Sequence, residues 1–212
     1  MDAAVMDHTG KCGAVAGIKF VKNPVIVAKK VMDVTPHVII AGEGAIQFAR
    51  KCGFPHYNPV TEKSIKKLED VKQKIQQGKK IEYEWLMKNY PEFFHGTVGA
   101  VARDGTGGFA SAVSTGGTAT NIPGRIGDSC IIGAGLFAGP SGAVGATGLG
   151  EEIIRKVLSK SVYDEFETNN DINEVCKRWI DIYPSTINIG LIAVSSKNHA
   201  VVANKSMAHA VI

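Results

Sequence analysis

The chain has 212 residues, of which 21% are charged and 7% aromatic, and its formal net charge is +4. This length suits one domain with a real core, and dispersed lysines without interleaved aromatic residues argue against a nucleic-acid-binding protein. The first residues, MDAAVMDHTGKCG, lack a basic segment followed by an apolar run, so no signal peptide is predicted.

The predicted elements begin with helices. Asn23 and Pro24 are typical of a helix start, with the asparagine as cap, and the helix VIVAKKVMDV runs to about Val34. A short apolar strand, HVIIAGE, precedes a second helix, GAIQFARKCG, which ends at Gly53.

The strand and second helix are joined by a glycine-rich turn that superficially fits a dinucleotide-binding motif. Gly42 and Gly44 have the right spacing, but Gln47 stands where the third glycine belongs. A nucleotide-binding module is therefore only a minor alternative, and no cofactor is predicted.

The middle of the chain is rich in lysine and glutamate. Apolar residues recur there at helical spacing, at Ile65, Leu68, Val71 and Ile75. We expect an exposed helix followed by a mobile connector, within a linker of about 55–96.

The residue pattern of the second half of the chain predicts mainly β-hairpins. TVGAVARD and FASAVST flank the turn DGTGG and predict a β-hairpin. The uncharged stretch from Ser129 to Gly150 is rich in small residues and interrupted by GPSG. It predicts two buried strands, SCIIGAGLFA and GAVGAT, joined by a turn, in preference to a membrane span.

Two helices and a closing hairpin follow. GEEIIRKVLSKSVYDEFE reads as one amphipathic helix, DINEVCKRWIDIY as another, and INIGLIAVSSKNHAVVANK as a hairpin. The order helices, strands, helices, strands predicts an α+β fold with antiparallel sheets covered by helices.

The cysteines and histidines do not predict a metal site. Cys12, Cys52, Cys130 and Cys176 match neither a CxxC pair nor a zinc pattern, and the six histidines lack ligand spacing. We expect reduced thiols in a cytoplasmic protein.

Small residues and threonines cluster around the predicted hairpins, at Thr97, Thr115, Thr118 and Thr147. Small residues allow a backbone to approach a ligand closely, although tight strand packing explains the same pattern. The role of Thr118 stays open, since a structural turn residue fits equally well.

These residues carry a family resemblance. HGTVGAVARDGTGGFASAVSTGGTATNIPGRIGDSCIIGAG resembles the nucleophile region of the plant-type L-asparaginase and isoaspartyl peptidase family, which are N-terminal-nucleophile hydrolases. MDAAVMD, the segment from CGAVAG to GAIQFA, ATGLGEEIIRKVL and GLIAVSSKN extend the resemblance in both directions.

The resemblance implies a fold and an organisation. We expect a single domain over residues 1–212, a four-layer αββα sandwich that apparently lacks the family's first strand and helix. Residues 1–96 would form the first subunit and residues 97–212 the second, in a homodimer of cleaved protomers.

The resemblance also implies self-cleavage between Gly96 and Thr97. A threonine hydroxyl is a weak nucleophile and needs a neighbouring base. A freed α-amine has a pKa of about 7.7–8.0, so Thr97 would supply both nucleophile and base. Gly96 suits the strained backbone that attack on the preceding carbonyl requires.

Further site residues carry over by position. Thr115 matches the threonine that hydrogen-bonds the nucleophile, and Thr147 and Gly148 match the oxyanion donors. Arg125 and Asp128 match residues that grip the substrate: a guanidinium suits its α-carboxylate, and a carboxylate suits its α-ammonium. A surface ion pair between these two is the structural alternative.

The implied function is hydrolysis of L-asparagine and of β-aspartyl (isoaspartyl) dipeptides, which are small-molecule substrates. A glycosylasparaginase-like amidase is the nearest alternative, although that group usually has aspartate where this chain has Gly96. A third possibility is an inactive truncated remnant, because the segments that family members carry ahead of MDAAVMD are absent from this sequence.

Overall fold

The computed structural model describes residues 1–77, 96–117, 123–168 and 171–212. Within these ranges the chain folds into two sheets and six helices, which confirms the mixed α+β class. The predicted connector after the charged helix and Thr118 both lie outside the described residues.

The elements follow one another in two groups. Before residue 78 they are β1 (Asp2–Asp7), β2 (Cys12–Ala16), α1 (Pro24–Val34), β3 (Ile39–Ala41), α2 (Gly42–Lys51) and α3 (Glu62–Gln76). After residue 95 they are β4 (Thr97–Arg103), β5 (Phe109–Thr115), β6 (Leu136–Gly139), β7 (Gly142–Gly148), α4 (Gly150–Arg155), α5 (Leu158–Thr168), α6 (Ile172–Asp181), β8 (Ile189–Ser195) and β9 (His199–Ala203).

The first sheet has the strand order β3-β2-β1-β5-β4, and the second has the order β6-β7-β8-β9. Every neighbouring pair is antiparallel except β2 and β3, which are parallel and joined through α1. The predicted hairpins β4–β5, β6–β7 and β8–β9 are thereby confirmed.

Three apolar clusters hold the elements together. One lies between the two sheets and includes Met6, Val113 and Leu136. Another joins the first sheet to α1 and α2, and a third joins the second sheet to α5 and α6. Successive residues of β1 divide between clusters: Ala3 faces the helices and Ala4 faces the second sheet, because strand side chains alternate.

The prediction that helices come first is wrong, since β1 and β2 open the chain. Both faces of these strands are buried, so neither DAAVMD nor CGAVA shows a regular alternation of apolar and polar residues. The pattern that identifies a half-buried strand is missing there.

Three smaller predictions need correction. Pro24 does open α1, but the side chain of Asn23 makes no capping hydrogen bond. In SCIIGAGLFA only the last residues form a strand, because Asp128–Cys130 make a 3₁₀ turn and Gly133 turns with φ 91°.

The third correction concerns GEEIIRKVLSKSVYDEFE, which forms two helices. Val157 takes a left-handed φ of 47° between α4 and α5. The backbone N–H groups of Ser159 and Lys160 donate to the carbonyls of Ala134 and Gly133, at 3.2 and 2.8 Å. These hydrogen bonds attach the first turn of α5 to the loop before β6, so α5 begins as a separate helix after Val157.

The stretch from Ser129 to Gly150 contains the β6–β7 hairpin, as predicted. Across the described ranges, no helix combines the length and the apolar character needed to cross a bilayer.

Candidate active site

Two threonine hydroxyls meet at the end of the β4–β5 hairpin. Thr97 opens β4 and pairs with Thr115, the last residue of β5. Their side-chain oxygens lie 3.3 Å apart, and Thr115 Oγ1 also accepts a hydrogen bond from Gly117 N at 3.1 Å. Thr115 is buried while Thr97 is half-buried, so the pair presents one accessible hydroxyl backed by a fixed one.

Gly96 precedes this pair and has ample room. A Cβ at this position would lie 3.7 Å from Gly117 O, an ordinary contact, and Gly96 has no left-handed backbone. The strain predicted at Gly96 therefore does not take the form of a positive φ.

Thr147 and Gly148 lie at the end of β7, where the backbone demands a glycine. Gly148 has φ 137°, and a Cβ there would stand 2.1 Å from the carbonyl oxygen of Asn188. Asn188 O also accepts a hydrogen bond from Leu149 N at 3.0 Å. The Thr147 hydroxyl has no hydrogen-bond partner within the described ranges, so it is free to donate to a ligand.

These residues share a cavity of about 330 Å³. Its walls come from Thr97 of β4, Thr147 and Gly148 of β7, residues 188–190 at the start of β8, and residues 203–208. The structure thus brings the predicted nucleophile and the predicted oxyanion donors to one concave surface, with Thr115 directly behind Thr97.

Arg125 and Asp128 are not among the residues that line this cavity. Both approach Gly150, two residues after Gly148, the predicted oxyanion glycine. A Cβ on Gly150 would stand 2.8 Å from Asp128 Oδ1 and 2.9 Å from Arg125 Nη2. A side chain at position 150 would force these groups to shift, so the two charged side chains pack closely against the β7–α4 junction.

The predicted alternative of a surface ion pair between Arg125 and Asp128 is wrong. Arg125 pairs with Glu151: Nε and Nη2 donate to Glu151 Oε1 at 2.9 and 2.8 Å. Asp128 is 6% exposed, and its Oδ2 is buried without a hydrogen-bond partner among the described residues. A buried acceptor of this kind suits a cationic ligand group.

Burial raises the pKa of Asp128 from 3.8 to about 6. A backbone hydrogen bond and the charge of Arg125 oppose this rise, while Glu151 and Asp2 add to it. Asp2 is itself buried and accepts hydrogen bonds from Gly17 N and Gly127 N at 2.7 and 3.1 Å. Asp128 is thus buried near two other carboxylates, Asp2 and Glu151, and one guanidinium, that of Arg125.

Sequence reasoning missed three polar side chains. Glu151 directly follows the predicted oxyanion segment, so a charged residue close behind Gly148 and Gly150 was the available signal. Asn188 contributes to the cavity wall, and Asn204 binds the backbone on both sides of it, through Ile189 N at 3.0 Å and Ile187 O at 2.5 Å. Neither asparagine lies in a recognisable motif.

No cluster of three or more histidine, cysteine, aspartate or glutamate side chains suited to a metal occurs in the part of the chain that the structure describes.

The chain is similar to known proteins over its described length. The model of the asparaginase family matches residues 1–212. A plant-type L-asparaginase of Pyrococcus horikoshii is 49% identical over 170 residues, which are 77% of this chain and 55% of that protein.

Two further relatives have other names. An isoaspartyl peptidase of Salmonella typhimurium is 38% identical over 182 residues, covering 84% of this chain and 58% of the relative. An N(4)-(beta-N-acetylglucosaminyl)-L-asparaginase of Elizabethkingia miricola is 35% identical over 213 residues, covering 93% and 58%. The chain thus spans little more than half the length of these three proteins.

Proposed function

The chain belongs to the asparaginase family, and on this premise we propose that it is an amidohydrolase that cleaves L-asparagine and β-aspartyl dipeptides. Thr97 is the nucleophile, released by self-cleavage after Gly96. The observation that carries the proposal is the hydroxyl pair of Thr97 and Thr115, 3.3 Å apart beside the cavity that contains Thr147 and Gly148.

Self-cleavage would start with attack of Thr97 Oγ1 on the carbonyl carbon of Gly96. The peptide C–N bond breaks as an ester forms, and the nitrogen becomes the α-amine of Thr97. Water then hydrolyses the ester and leaves a carboxylate on Gly96. The hydrogen bond to Thr115 supports this step because it fixes the rotamer of the attacking hydroxyl.

Turnover would use the same hydroxyl. The α-amine of Thr97 takes its proton as Oγ1 attacks the side-chain amide carbon of the substrate. The Thr147 hydroxyl and the Gly148 N–H stabilise the negative oxygen that develops. The C–N bond then breaks, the leaving amine takes the proton from the α-ammonium, and water hydrolyses the remaining ester to release aspartate.

Substrate orientation is assigned to the charged pair beside the cavity. Arg125 uses Nε and Nη2 to bind Glu151, so its Nη1 would donate to an α-carboxylate. The Oδ2 of Asp128 has no partner among the described residues and would accept a hydrogen bond from an α-ammonium. Together they would fix the aspartyl half of the substrate with its amide toward Thr97.

The test uses the full-length protein with L-asparagine and β-Asp-Leu. We expect turnover of both, and a fragment that begins at Thr97 in mass analysis. Thr97→Val keeps the side-chain shape and should abolish both events, while Thr106→Ala, in the turn of the same hairpin, serves as the matched control. Undiminished turnover by Thr97→Val would refute the proposal.

A second candidate function is cleavage of N(4)-(beta-N-acetylglucosaminyl)-L-asparagine. It is favoured by the similarity to the Elizabethkingia miricola protein with that name. Adding this substrate to the same assay decides between them, because a bulky sugar must fit where ammonia would leave.

We further propose that the molecule is a four-layer αββα sandwich and a homodimer of cleaved protomers. The three apolar clusters support the layering, since they lie between helices and sheet, between the two sheets, and between sheet and helices. Light scattering on the purified protein tests the dimer, and a monomer mass would exclude it.

A further inference from the structure

Asp2, the first residue of β1, lies in one row with the two threonines of the site. It pairs with Thr115 of β5, and Thr115 pairs with Thr97 of β4. Directly paired residues of antiparallel strands have their side chains on the same face of the sheet. The Asp2 side chain therefore lies on the face that carries the threonine pair, two strands away from Thr97.

The carboxylate of Asp2 binds two backbone N–H groups in a buried position, since only 4% of the residue is exposed. Oδ1 accepts a hydrogen bond from Gly17 N at 2.7 Å, and Oδ2 accepts one from Gly127 N at 3.1 Å. Gly17 follows β2, so the first bond stays within the first part of the chain. Gly127 stands between Arg125 and Asp128 in the sequence, so the second bond joins β1 to the loop that carries both charged side chains.

The guanidinium of Arg125 lies close to the backbone at the same glycine. A Cβ on Gly127 would stand 2.9 Å from Arg125 Nη1 and 3.6 Å from Asp2 Oδ2. Gly127 has φ −89° and ψ −179°, an extended backbone that any residue adopts, so space and not conformation favours glycine here. The Gly127 backbone is thus in contact with Asp2 and close to the Arg125 guanidinium, and Asp128 follows it directly.

We propose that Asp2 is a positioning residue for the substrate, because through Gly127 it holds Arg125 and Asp128 in the arrangement that binds the aspartyl half. The inference rests on the proposed function and deepens it: a residue before the proposed cut sets how residues after the cut bind the α-carboxylate and the α-ammonium. Asp2 is assigned no contact with the reacting atoms. Its loss should therefore weaken substrate binding and leave the chemical step intact.

Asp2→Asn tests this role with little change in side-chain shape. An asparagine has one acceptor oxygen, and its amide nitrogen would face the other N–H group, so it cannot bind both Gly17 and Gly127. Because a buried N–H without an acceptor is costly, we expect KM for L-asparagine to rise about tenfold. The kcat and the extent of self-cleavage before Thr97 should stay within about twofold of the unaltered protein. Steady-state kinetics and mass analysis of the full-length protein measure these quantities.

Asp7→Asn is the matched control, because Asp7 ends the same strand. Its carboxylate accepts hydrogen bonds from Thr9 in the adjacent turn, at 2.9 Å from the backbone N–H and 2.6 Å from the hydroxyl. This variant should leave KM unchanged, and an equal rise in KM would overturn the proposal. A merely structural role of Asp2 predicts another result: misfolded molecules would lower the apparent kcat and leave KM as it was, since KM does not depend on the amount of active enzyme.

Gly127→Ala tests the same contact from the other side, with Asp2 intact. Its Cβ would displace the Arg125 guanidinium, so we expect KM for L-asparagine to rise about fivefold or more. This variant decides the question if Asp2→Asn yields no folded protein. An unchanged KM in Gly127→Ala would then overturn the proposal, and a raised KM with kcat retained would support it.

The outcomes separate the two proposals. If the unaltered protein hydrolyses neither L-asparagine nor β-Asp-Leu, the proposed function fails and the positioning role fails with it. If it hydrolyses them but Asp2→Asn leaves KM unchanged, or lowers kcat without raising KM, the function stands and the positioning role is refuted.

Discussion

Replacing Asp128 by asparagine should change how stability depends on pH. The pKa of Asp128 is raised from 3.8 to about 6, chiefly because burial disfavours its charge. A carboxyl with a raised pKa binds its proton more tightly in the folded state. Ionisation of Asp128 therefore costs nothing below pH 3.8, costs progressively more as the pH rises, and reaches its full cost above pH 6.

The size of this cost follows from the shift. Two pKa units correspond to about 3 kcal/mol. Part of this cost is already present at pH 4, so we expect the free energy of unfolding of Asp128→Asn, relative to the parent protein, to increase by about 2 kcal/mol between pH 4 and pH 7. Any constant effect of the amide on packing cancels in this comparison.

The measurement is urea unfolding at pH 4, 5, 6 and 7, in a Thr97→Val background that keeps the chain in one piece. Asp70→Asn, on the exposed surface of α3, controls for the loss of one negative charge. Arg125, Glu151 and Asp2 also act on this carboxyl, so all three residues are kept unchanged in every protein compared. A difference that stays flat within about 0.5 kcal/mol would refute the reasoning.

Three other substitutions test the site and the core. Gly148→Ala should lower kcat at least a hundredfold, because its Cβ would meet Asn188 O at 2.1 Å. Gly10→Ala is the control, since Gly10 also has a positive φ, of 87°, but has open space around it. Equal losses of stability in the two variants would contradict the predicted clash at Gly148. Thr147→Val should lower kcat by about 10²–10³ with little change in KM, measured by steady-state kinetics, whereas a change in KM alone would argue against an oxyanion role. Leu136→Ala, fully buried between the sheets, should cost about 2–5 kcal/mol in urea unfolding, and a loss below about 1 kcal/mol would mean that the sheets close over the gap.

The position of the threonine pair could be predicted from the sequence because a hairpin sets its own register. The turn DGTGG joins two strands of equal length, and its position between them places Thr97 opposite Thr115. The glycine at the end of β7 could also be located from the sequence, because Gly148 directly follows Thr147 in a strand of small residues.

Other parts of the fold depend on contacts that no local pattern records. The break at Val157 is set by carbonyls of the loop before β6, far from the periodic apolar residues of α4 and α5. The cavity wall formed by residues 203–208 follows the last strand and has no periodicity, so its place beside Thr97 could only be found in three dimensions.

The strand order of the first sheet has a consequence for a nicked molecule. β5 lies between β1 and β4. After a cut before Thr97, strands β3-β2-β1 of one fragment and strands β5-β4 of the other would therefore lie side by side in one sheet. Six residue pairs join β1 to β5 across that boundary. Two separate polypeptides would consequently co-purify as one particle. Separating them would require breaking the central β1–β5 pair, and not an edge strand.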